Sequence, residues 1–245
     1  MKAYHALSGS YDRLTQDIPY SSFAEYYSSV FHQDPEPVRV LLDLCCGTGS
    51  LTREMSLRGF ELVSVDQSAE MLSVAQIKCS DLPVSPLFIC QNASRLDLFG
   101  TVDGGFSSLD SINYIPPTEI KELFRRLFLF IRPGGFFIFD LKTPEWMESI
   151  SGFTSVDEDD DMLCIWRSDF DSGSGCLVHG IDLFTRQNGA VWSRDTEEHI
   201  EYAYKKDELV RLIEETGFLL EEYLPVTSFG GDGRVFYVIR RKSSG

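Results

Sequence analysis

The sequence is short of positive charge. Its 245 residues include 22 lysines and arginines against 38 aspartates and glutamates, which gives a formal net charge of −16. Binding to nucleic acid or to an anionic membrane surface depends on lysine and arginine, so this deficit weighs against both. We therefore expect neither partner. Small molecules, including cations, and other proteins are not excluded.

Long apolar runs are absent too. No stretch of about 18 apolar residues could form a transmembrane helix, and the first 11 residues lack the apolar segment of a signal peptide. The six cysteines form no CxxC pair, and no group of Cys, His, Asp and Glu has the spacing of a metal site. These absences predict a cytoplasmic protein with reduced thiols and no metal.

Strand-like and helix-like segments alternate over the first 141 residues. Apolar strands separated by amphipathic helices are typical of a parallel sheet that helices cover on both faces, so the pattern predicts an α/β fold. Ser68 and Thr118 are expected to cap two of the helices. The predicted strands span 38–44, 61–66, 87–91, 104–109, 136–141, 218–224 and 234–240, and the predicted helices span 50–58, 68–78, 118–131 and 206–216.

A different pattern interrupts this alternation. Residues 162–170, 176–185 and 191–204 are β-like and are separated by turn signals, the stronger of which is Asn188-Gly189. An Asn-Gly pair between two such runs is typical of a hairpin, so we predict an inserted antiparallel β cap. The insertion is acidic, notably over 157–161. Its charge either steers a cationic amine substrate to the site or forms a solvated rim, and the sequence leaves both open.

The segment LDLCCGTGSL, residues 42–51, joins the first predicted strand to the first predicted helix. Gly47 and Gly49 allow a ligand to approach the backbone, and the helix amides can face its polar end. Asp66 ends the second strand, where a carboxylate can accept hydrogen bonds from a ribose diol. These residues predict a nucleotide-like ligand. Thr52 occupies the third glycine position of a dinucleotide motif, which argues against a nicotinamide-dependent oxidoreductase.

DLCCGTGSLT followed by VSVDQSAEML resembles the S-adenosylmethionine (SAM) binding signature of class I methyltransferases. The resemblance covers residues 38–141 and resumes in the last 40 or so. It implies SAM as cofactor and a Rossmann-like, doubly wound, mostly parallel seven-stranded sheet whose last strand is antiparallel. It also implies in-line transfer of a methyl group to a small-molecule acceptor.

The resemblance assigns residues to the cofactor. Asp43, Cys45, Gly47 and Gly49 are expected beside its methionine half, although the family usually has glycine in place of Cys45. Asp66 is expected to hold the ribose hydroxyls. The adenine is expected to lie against Gln67, Met71, Asn92 and Ala93, with Asn92 in place of the usual aspartate. Leu109, Asp110 and Asn113 are expected below the sulfonium and at the substrate mouth, or else cap the following helix.

An aromatic arm precedes the first strand. In small-molecule members of the family a similar pair to Tyr11-Asp12 lies in a helix over the cofactor, where Tyr11 would reach the methionine carboxylate. The alternative is a helix that its rings pack against the sheet. The expected organisation is an N-terminal helical lid (1–36), a SAM-binding α/β core (37–145), the antiparallel β insertion as substrate cap (146–204) and the C-terminal part of the core (205–245).

A general base is needed only where the acceptor keeps its proton until attack. Relatives in the small-molecule branch carry a histidine near the substrate pocket at a place similar to His199, which is therefore the predicted catalytic residue. The alternative is a histidine on an exposed strand face. His179 is a weaker candidate, and His5 and His32 complete the set.

Two other functions stay possible on sequence grounds. One is a tRNA-modifying methyltransferase of the same fold, which the net charge disfavours. The other is a module that binds SAM without catalysis, because methyltransferases need no diagnostic catalytic residue. The acceptor, the atom that receives the methyl group and the oligomeric state are not determined by the sequence.

Overall fold

The computed structural model describes residues 7, 9–225 and 233–243; His5 lies outside them. The helices are α1 (Tyr11–Leu14), α2 (Tyr20–Phe31), α3 (Ser50–Leu57), α4 (Ala69–Lys78), α5 (Ile120–Phe130), α6 (Pro144–Ser149) and α7 (Lys206–Glu215). The strands are β1 (Val40–Leu44), β2 (Glu61–Asp66), β3 (Leu87–Cys90), β4 (Gly104–Ser107), β5 (Phe136–Lys142), β6 (Thr154–Glu158), β7 (Met162–Asp171), β8 (Cys176–Asn188), β9 (Val191–Tyr202), β10 (Phe218–Pro225) and β11 (Arg234–Arg241).

Seven strands form one sheet in the order β10-β11-β5-β4-β1-β2-β3. Strands β1 to β5 are parallel, and β11 is antiparallel to both of its neighbours. Strands β1, β4 and β5 are almost wholly buried, as expected for a sheet between two layers of helices. The predicted Rossmann-like, mostly parallel seven-stranded sheet with an antiparallel last strand is confirmed.

The strand order places a crevice between β1 and β4. The chain runs outward from β1 through β2 to β3, then returns to place β4 on the other side of β1. The loops after β1 and β4 therefore leave the sheet in opposite directions. An opening at the carboxyl ends of the strands is where ligands bind in such sheets.

Local sequence signals predicted some helix caps and strand ends correctly and others wrongly. Ser68 caps α4 as predicted, because its hydroxyl accepts from the amide of Met71 at 3.2 Å. Thr118 does not cap α5, which follows Glu119 and has no side-chain cap bond. Strand β4 ends at Ser107, not at Leu109, because Leu109 has a φ of 58° and leaves the extended conformation.

The insertion forms a second, antiparallel sheet in the order β6-β7-β8-β9, which we call the cap. The Asn188-Gly189 hairpin lies between β8 and β9, and Gly189 has the positive φ of 60° that such a turn favours. The prediction of three strands was wrong, since β6 is a fourth. Its residues are all exposed and run into the charge run 157–161, so no apolar alternation revealed it.

The arm before β1 packs against both sheets. Helix α2 lies on the seven-stranded sheet, where the ring of Tyr27 is 5.3 Å from that of Phe106 and 5.8 Å from that of Phe236. Leu7 and Leu14 pack instead with apolar residues of β7 and β8. The rings of α2 thus pack against the sheet as the second reading expects, and the reading of the arm as a lid over the cofactor stays a prediction. In the described ranges, no helix is long and apolar enough to cross a membrane.

Replacing Phe124 by alanine should lower the free energy of unfolding by about 3–5 kcal/mol, because it leaves a cavity in the core. This ring is fully buried between Phe139 and Phe218, with centroids 5.7 Å and 6.5 Å away. Urea unfolding measures the change. The control is Phe99→Ala, which removes a fully exposed ring and should change stability by no more than about 0.5 kcal/mol. Equal losses in the two variants would contradict this account of the core.

Candidate active site

Three adjoining cavities lie where the parallel strands end, and Tyr11 and Leu109 line all of them. The β2 cavity, of about 120 Å³, is also lined by Gly47, Asp66, Gln67, Met71, Asn92, Ala93 and Tyr114. The β1 cavity is also lined by Asp43, Cys45, Cys46, Gly47, Thr48 and Ser50. The cap cavity, of about 260 Å³, is also lined by Asp110, Tyr114, Lys142, Asp157, Trp166, His179, Glu201 and Arg234.

The loop after β1 takes a left-handed backbone three times. Cys45, Gly47 and Gly49 have φ of 61°, 53° and 76°. A side chain at Gly49 would meet the Cβ of Ala75 at 2.9 Å, so only glycine fits between the loop and α4. For Cys45 the same conformation costs roughly 1–2 kcal/mol, which is why glycine is the usual residue there.

Asp66 ties this loop to the start of α4. One carboxylate oxygen accepts from the amide of Gly47 at 2.9 Å and the other from the amide of Ser68 at 2.8 Å. Burial raises the pKa of Asp66, and the backbone amides act against that rise. Each oxygen has a further lone pair, so the carboxylate can also bind hydroxyl groups in the β2 cavity.

Asp43 lies behind the loop and is almost fully buried. Burial raises its pKa to about 7, and the hydroxyl of Thr52, which donates to it at 2.5 Å, opposes the rise. In the sequence Thr52 stood out only as a missing glycine. In the structure it holds a buried carboxylate in place.

Leu109 and Asp110 form a strained turn between the cavities. Both have left-handed backbones, with φ of 58° and 55°, and their amides donate to the two carboxylate oxygens of Asp140 at 2.8 Å each. Asp140 is fully buried, and burial raises its pKa to about 6. Sequence reasoning missed Asp140, although an acidic residue inside the apolar strand FFIFDL was a usable signal.

A buried chain of charges joins the core to the cap. Asp110 accepts from Arg234 at 2.9 Å and from Lys142 at 2.8 Å. Lys142 also lies 3.2 Å from Glu201 of β9, which faces His179 of β8 at 3.4 Å. Burial alone would raise the pKa of Glu201, but Lys142 and His179 lower it below its usual range.

Asn113 and His199 lie behind residues that line the cap cavity, namely Lys142 and Tyr114. The side chain of Asn113 accepts from the amide of Lys142 at 3.0 Å and donates to the carbonyl of Tyr202 at 2.9 Å, so it fastens the cap to β5. His199 is fully buried, which contradicts an exposed strand face. Neither residue lines the three cavities. Of the histidines that the structure describes, His179 lines the cap cavity.

Two neighbouring residues of α1 hold the arm in place, one against the core and one against the cap. Asp12 accepts from the hydroxyl of Thr48 and from Lys78, at 2.7 Å each, and so holds α1 to the glycine loop. Arg13 forms an ion pair with Asp159 of the cap. These contacts place Tyr11 against all three cavities.

Comparison with known proteins identifies the family. A methyltransferase domain model matches residues 41–135. The chain is 30% identical to "Putative methyltransferase YqeM" of Bacillus subtilis (strain 168), over 89% of this chain and 87% of that protein. The chain belongs to the class I SAM-dependent methyltransferases.

Solved structures of SAM-dependent methyltransferases share the fold of this chain. A SAM-dependent methyltransferase from Clostridium acetobutylicum ATCC 824 superposes with a TM-score of 0.85 at 25% identity, over 99% of this chain and 100% of that one. SAM-bound CalS10, an amino pentose methyltransferase from Micromonospora echinaspora, superposes with a TM-score of 0.78 at 16% identity over 99% of each chain. SAM is thus the cofactor of this methyltransferase.

The site of this methyltransferase fits SAM in shape and chemistry. The β2 and β1 cavities share Cys45, Gly47 and Ser111 besides Tyr11 and Leu109, so one extended ligand with a nucleoside and an amino acid part can reach both. Gly47 and Asp66 lie at the β2 cavity, and Asp43 lies at the β1 cavity. Around the whole site, the described residues include no group of three or more His, Cys, Asp or Glu able to hold a metal.

The raised pKa of Asp43 makes stability depend on pH. Its pKa is about 7 in the fold and about 3.9 in an unfolded chain. The folded state therefore binds the proton more tightly, and protonation stabilises the ligand-free protein as pH falls through 7.

Between pH 7 and pH 5 the unfolding free energy of the wild type should rise relative to Asp43→Asn by at most about 1.4 kcal/mol per pH unit. Urea unfolding of both proteins at several pH values measures the difference. Asp81→Asn removes an exposed carboxylate paired with Arg53, and relative to this variant the wild type should show no such rise. A constant difference between wild type and Asp43→Asn would mean that Asp43 titrates outside this range.

Proposed function

We propose that this methyltransferase transfers the methyl group of SAM, by in-line displacement, to a small molecule bound in the cap cavity. One observation carries the proposal. The cap cavity adjoins both cavities that suit the cofactor, and Tyr11 and Leu109 are common to all three. An acceptor in the cap cavity would thus meet the cofactor across these two side chains.

The cofactor is assigned to the cavities as the family resemblance suggests. Asp66 would bind the ribose hydroxyls, and Gln67, Met71, Asn92 and Ala93 would surround the adenine. Asp43, Cys45, Gly47, Gly49 and Tyr11 would lie beside the methionine half, and Leu109 and Asp110 below the sulfonium. SAM supplies an electrophilic methyl group and a neutral thioether leaving group, which leaves alignment and exclusion of water to the protein.

The chain's own residues account for that alignment. The Asp140 carboxylate fixes the backbone at Leu109, so this side chain keeps its place between cofactor and acceptor. We propose that the arm acts as a lid, since Asp12 and Arg13 latch it to the core and to the cap. A lid that excludes water protects the reacting groups.

The cap's charges support a small acceptor and restrict the steering hypothesis. Five of the 13 carboxylates in residues 146–204 face a lysine, arginine or histidine within the protein, and the pairs with lysine and arginine have little net field to offer a distant ligand. These pairs are Asp159–Arg13, Asp161–Arg186, Asp182–Arg167, Asp182–Arg194, Glu197–His199 and Glu201–Lys142. Among the acidic residues that line the cap cavity, Asp157 alone is exposed, so any preference for an amine would depend chiefly on it.

Asp66→Ala should weaken SAM binding by about 1–3 kcal/mol, or about 5-fold to 150-fold in Kd, because charge-assisted bonds to the ribose are lost. Isothermal titration calorimetry measures the affinity, with NAD as a second ligand. Asp81→Ala, which removes an exposed carboxylate remote from the cavities, should bind SAM as the wild type does. Unchanged affinity in Asp66→Ala would show that the ribose is held elsewhere, and binding of NAD without SAM would overturn the proposal.

The acceptor class can be tested without knowing the acceptor. The protein is incubated with methyl-tritiated SAM and either a low-molecular-weight cell extract or bulk tRNA. We expect label in the small-molecule fraction and none in tRNA, because the net charge of −16 opposes RNA binding. Label in tRNA would support the tRNA-modifying alternative. SAM binding with no labelled product in either fraction would support the non-catalytic alternative.

A further inference from the structure

Two buried side chains and the half-buried Tyr114 form a line that ends at the site. The hydroxyl of Tyr114 lies 3.1 Å from Nδ1 of His199, and Nε2 of His199 lies 2.7 Å from a carboxylate oxygen of Glu197. The other oxygen of Glu197 accepts from the amide of Leu7 at 3.2 Å. His199 is fully buried and Glu197 is 8% exposed. The line thus runs from the arm through the cap to the edge of the cavities.

The partners of His199 fix where its protons lie. An ionised carboxylate can only accept, so Glu197 places a proton on Nε2 of a neutral His199. Nδ1 is then an acceptor and takes the hydroxyl proton of Tyr114. A hydroxyl oxygen whose proton is directed at one group can still accept a proton or a hydrogen bond from another. In this orientation His199 can act as a base through the hydroxyl of Tyr114.

Tyr114 reaches both substrates' cavities. It lines the β2 cavity on one side and the cap cavity on the other, next to Leu109 in both. His199 does not line either, and its ring packs edge-on against Tyr114 and Trp166 at 5.8 Å and 6.2 Å. Tyr114 therefore offers a route by which a group in the cap cavity can exchange a proton with His199.

We propose that Tyr114 is a catalytic residue that takes the proton from the acceptor's nucleophilic atom, and that His199 and Glu197 position and polarise it. This inference rests on the proposed function. As the acceptor's lone pair forms the bond to the methyl carbon, the carbon–sulfur electron pair stays on sulfur. The acceptor's proton passes to the oxygen of Tyr114, and the hydroxyl proton of Tyr114 passes to Nδ1 of His199. The positive charge of the sulfonium is replaced by that of His199 beside Glu197.

His179 is the competing base. It lines the cap cavity and lies opposite His199 in the pairing of β8 with β9. Its Nδ1 lies 2.9 Å from the hydroxyl of Ser168, and its Nε2 faces Glu201, which Lys142 also neutralises. The charged and titratable groups that face the line include Glu197 at one end and His179, with Glu201 and Lys142 behind it, across the strand pair. A test must separate the two histidines.

The first test uses NMR to locate the ring protons of His199 and needs no methyl acceptor. Protein with ¹⁵N-labelled histidine is bound to S-adenosylhomocysteine, and its ring nitrogens are assigned by NMR with His32→Asn and His179→Asn, which remove two other signals. We expect His199 as the Nε2–H form, with an Nδ1 signal that moves in Tyr114→Phe while the His32 signals do not. A proton on Nδ1 would overturn the inference, because His199 would then donate to Tyr114.

The second test compares an acceptor that keeps its proton with one that has lost it. Benzyl alcohol keeps its proton until attack, whereas thiophenol at pH 9 is a thiolate and needs no base. With methyl-tritiated SAM, Tyr114→Phe should lower kcat for benzyl alcohol by about 10²–10⁴-fold, the usual share of general-base catalysis, with a much smaller loss for thiophenol. Glu197→Gln should lower kcat for benzyl alcohol in the same direction and shift its pH profile.

The controls separate failure of this inference from failure of the proposed function. His32→Asn removes an exposed histidine and should leave every rate unchanged. Equal losses for both probes in Tyr114→Phe, or loss in His179→Asn without loss in Tyr114→Phe, would overturn the role of Tyr114. If the wild type binds SAM and methylates neither probe, the NMR result decides the inference alone. If the wild type does not bind SAM, the proposed function itself fails.

Discussion

Two consecutive backbone amides bound to one buried carboxylate hold this site together. Asp140 accepts from the amides of Leu109 and Asp110, both of which have left-handed backbones that cost roughly 1–2 kcal/mol each. Two charge-assisted hydrogen bonds in a buried setting offset such a cost. Leu109 then lines three cavities, and the side chain of Asp110 is free to turn toward Arg234 and Lys142.

The same turn connects the two sheets. Lys142 bridges Asp110 of the core and Glu201 of the cap, and Asn113 bonds to backbone groups on both sides. Buried ion pairs seldom add much stability over apolar contacts, because desolvation opposes their attraction. Here the ion pairs of Lys142 fix the geometry of the boundary between the core and the cap. The cap cavity lies on that boundary, so its shape depends on the position of the cap relative to the core.

Much of the fold could be predicted because its signals are local. Apolar runs such as FFIFDL, the glycine loop after β1 and Asn188-Gly189 each specify a strand, a turn or a hairpin from neighbouring residues. The family resemblance then matched the predicted strand count and supplied the cofactor. Strand β6 was missed because a strand that buries no residue has no apolar period to detect.

The functional residues were predicted less evenly, and the reason is distance along the chain. Asp66, Gln67, Met71, Asn92 and Ala93 follow strand ends that meet at one edge of the sheet, and all of them line the β2 cavity. Tyr114, Glu201 and Arg234 come from elements other than β5, which carries Asp140 and Lys142, and the five residues have no motif in common. Their relation exists only once β11 pairs with β5 and the cap folds over the core.

The sequence by itself determined the family, the sheet and the cofactor, because these depend on periodicity and on a glycine loop whose residues are adjacent. Only the tertiary structure decided what each buried polar group contacts. His199 shows the difference, since the sequence left open an exposed strand face, while the fold buries the residue between Glu197 and Tyr114. A hydrogen bond is made across space by groups whose separation in sequence carries no information about it.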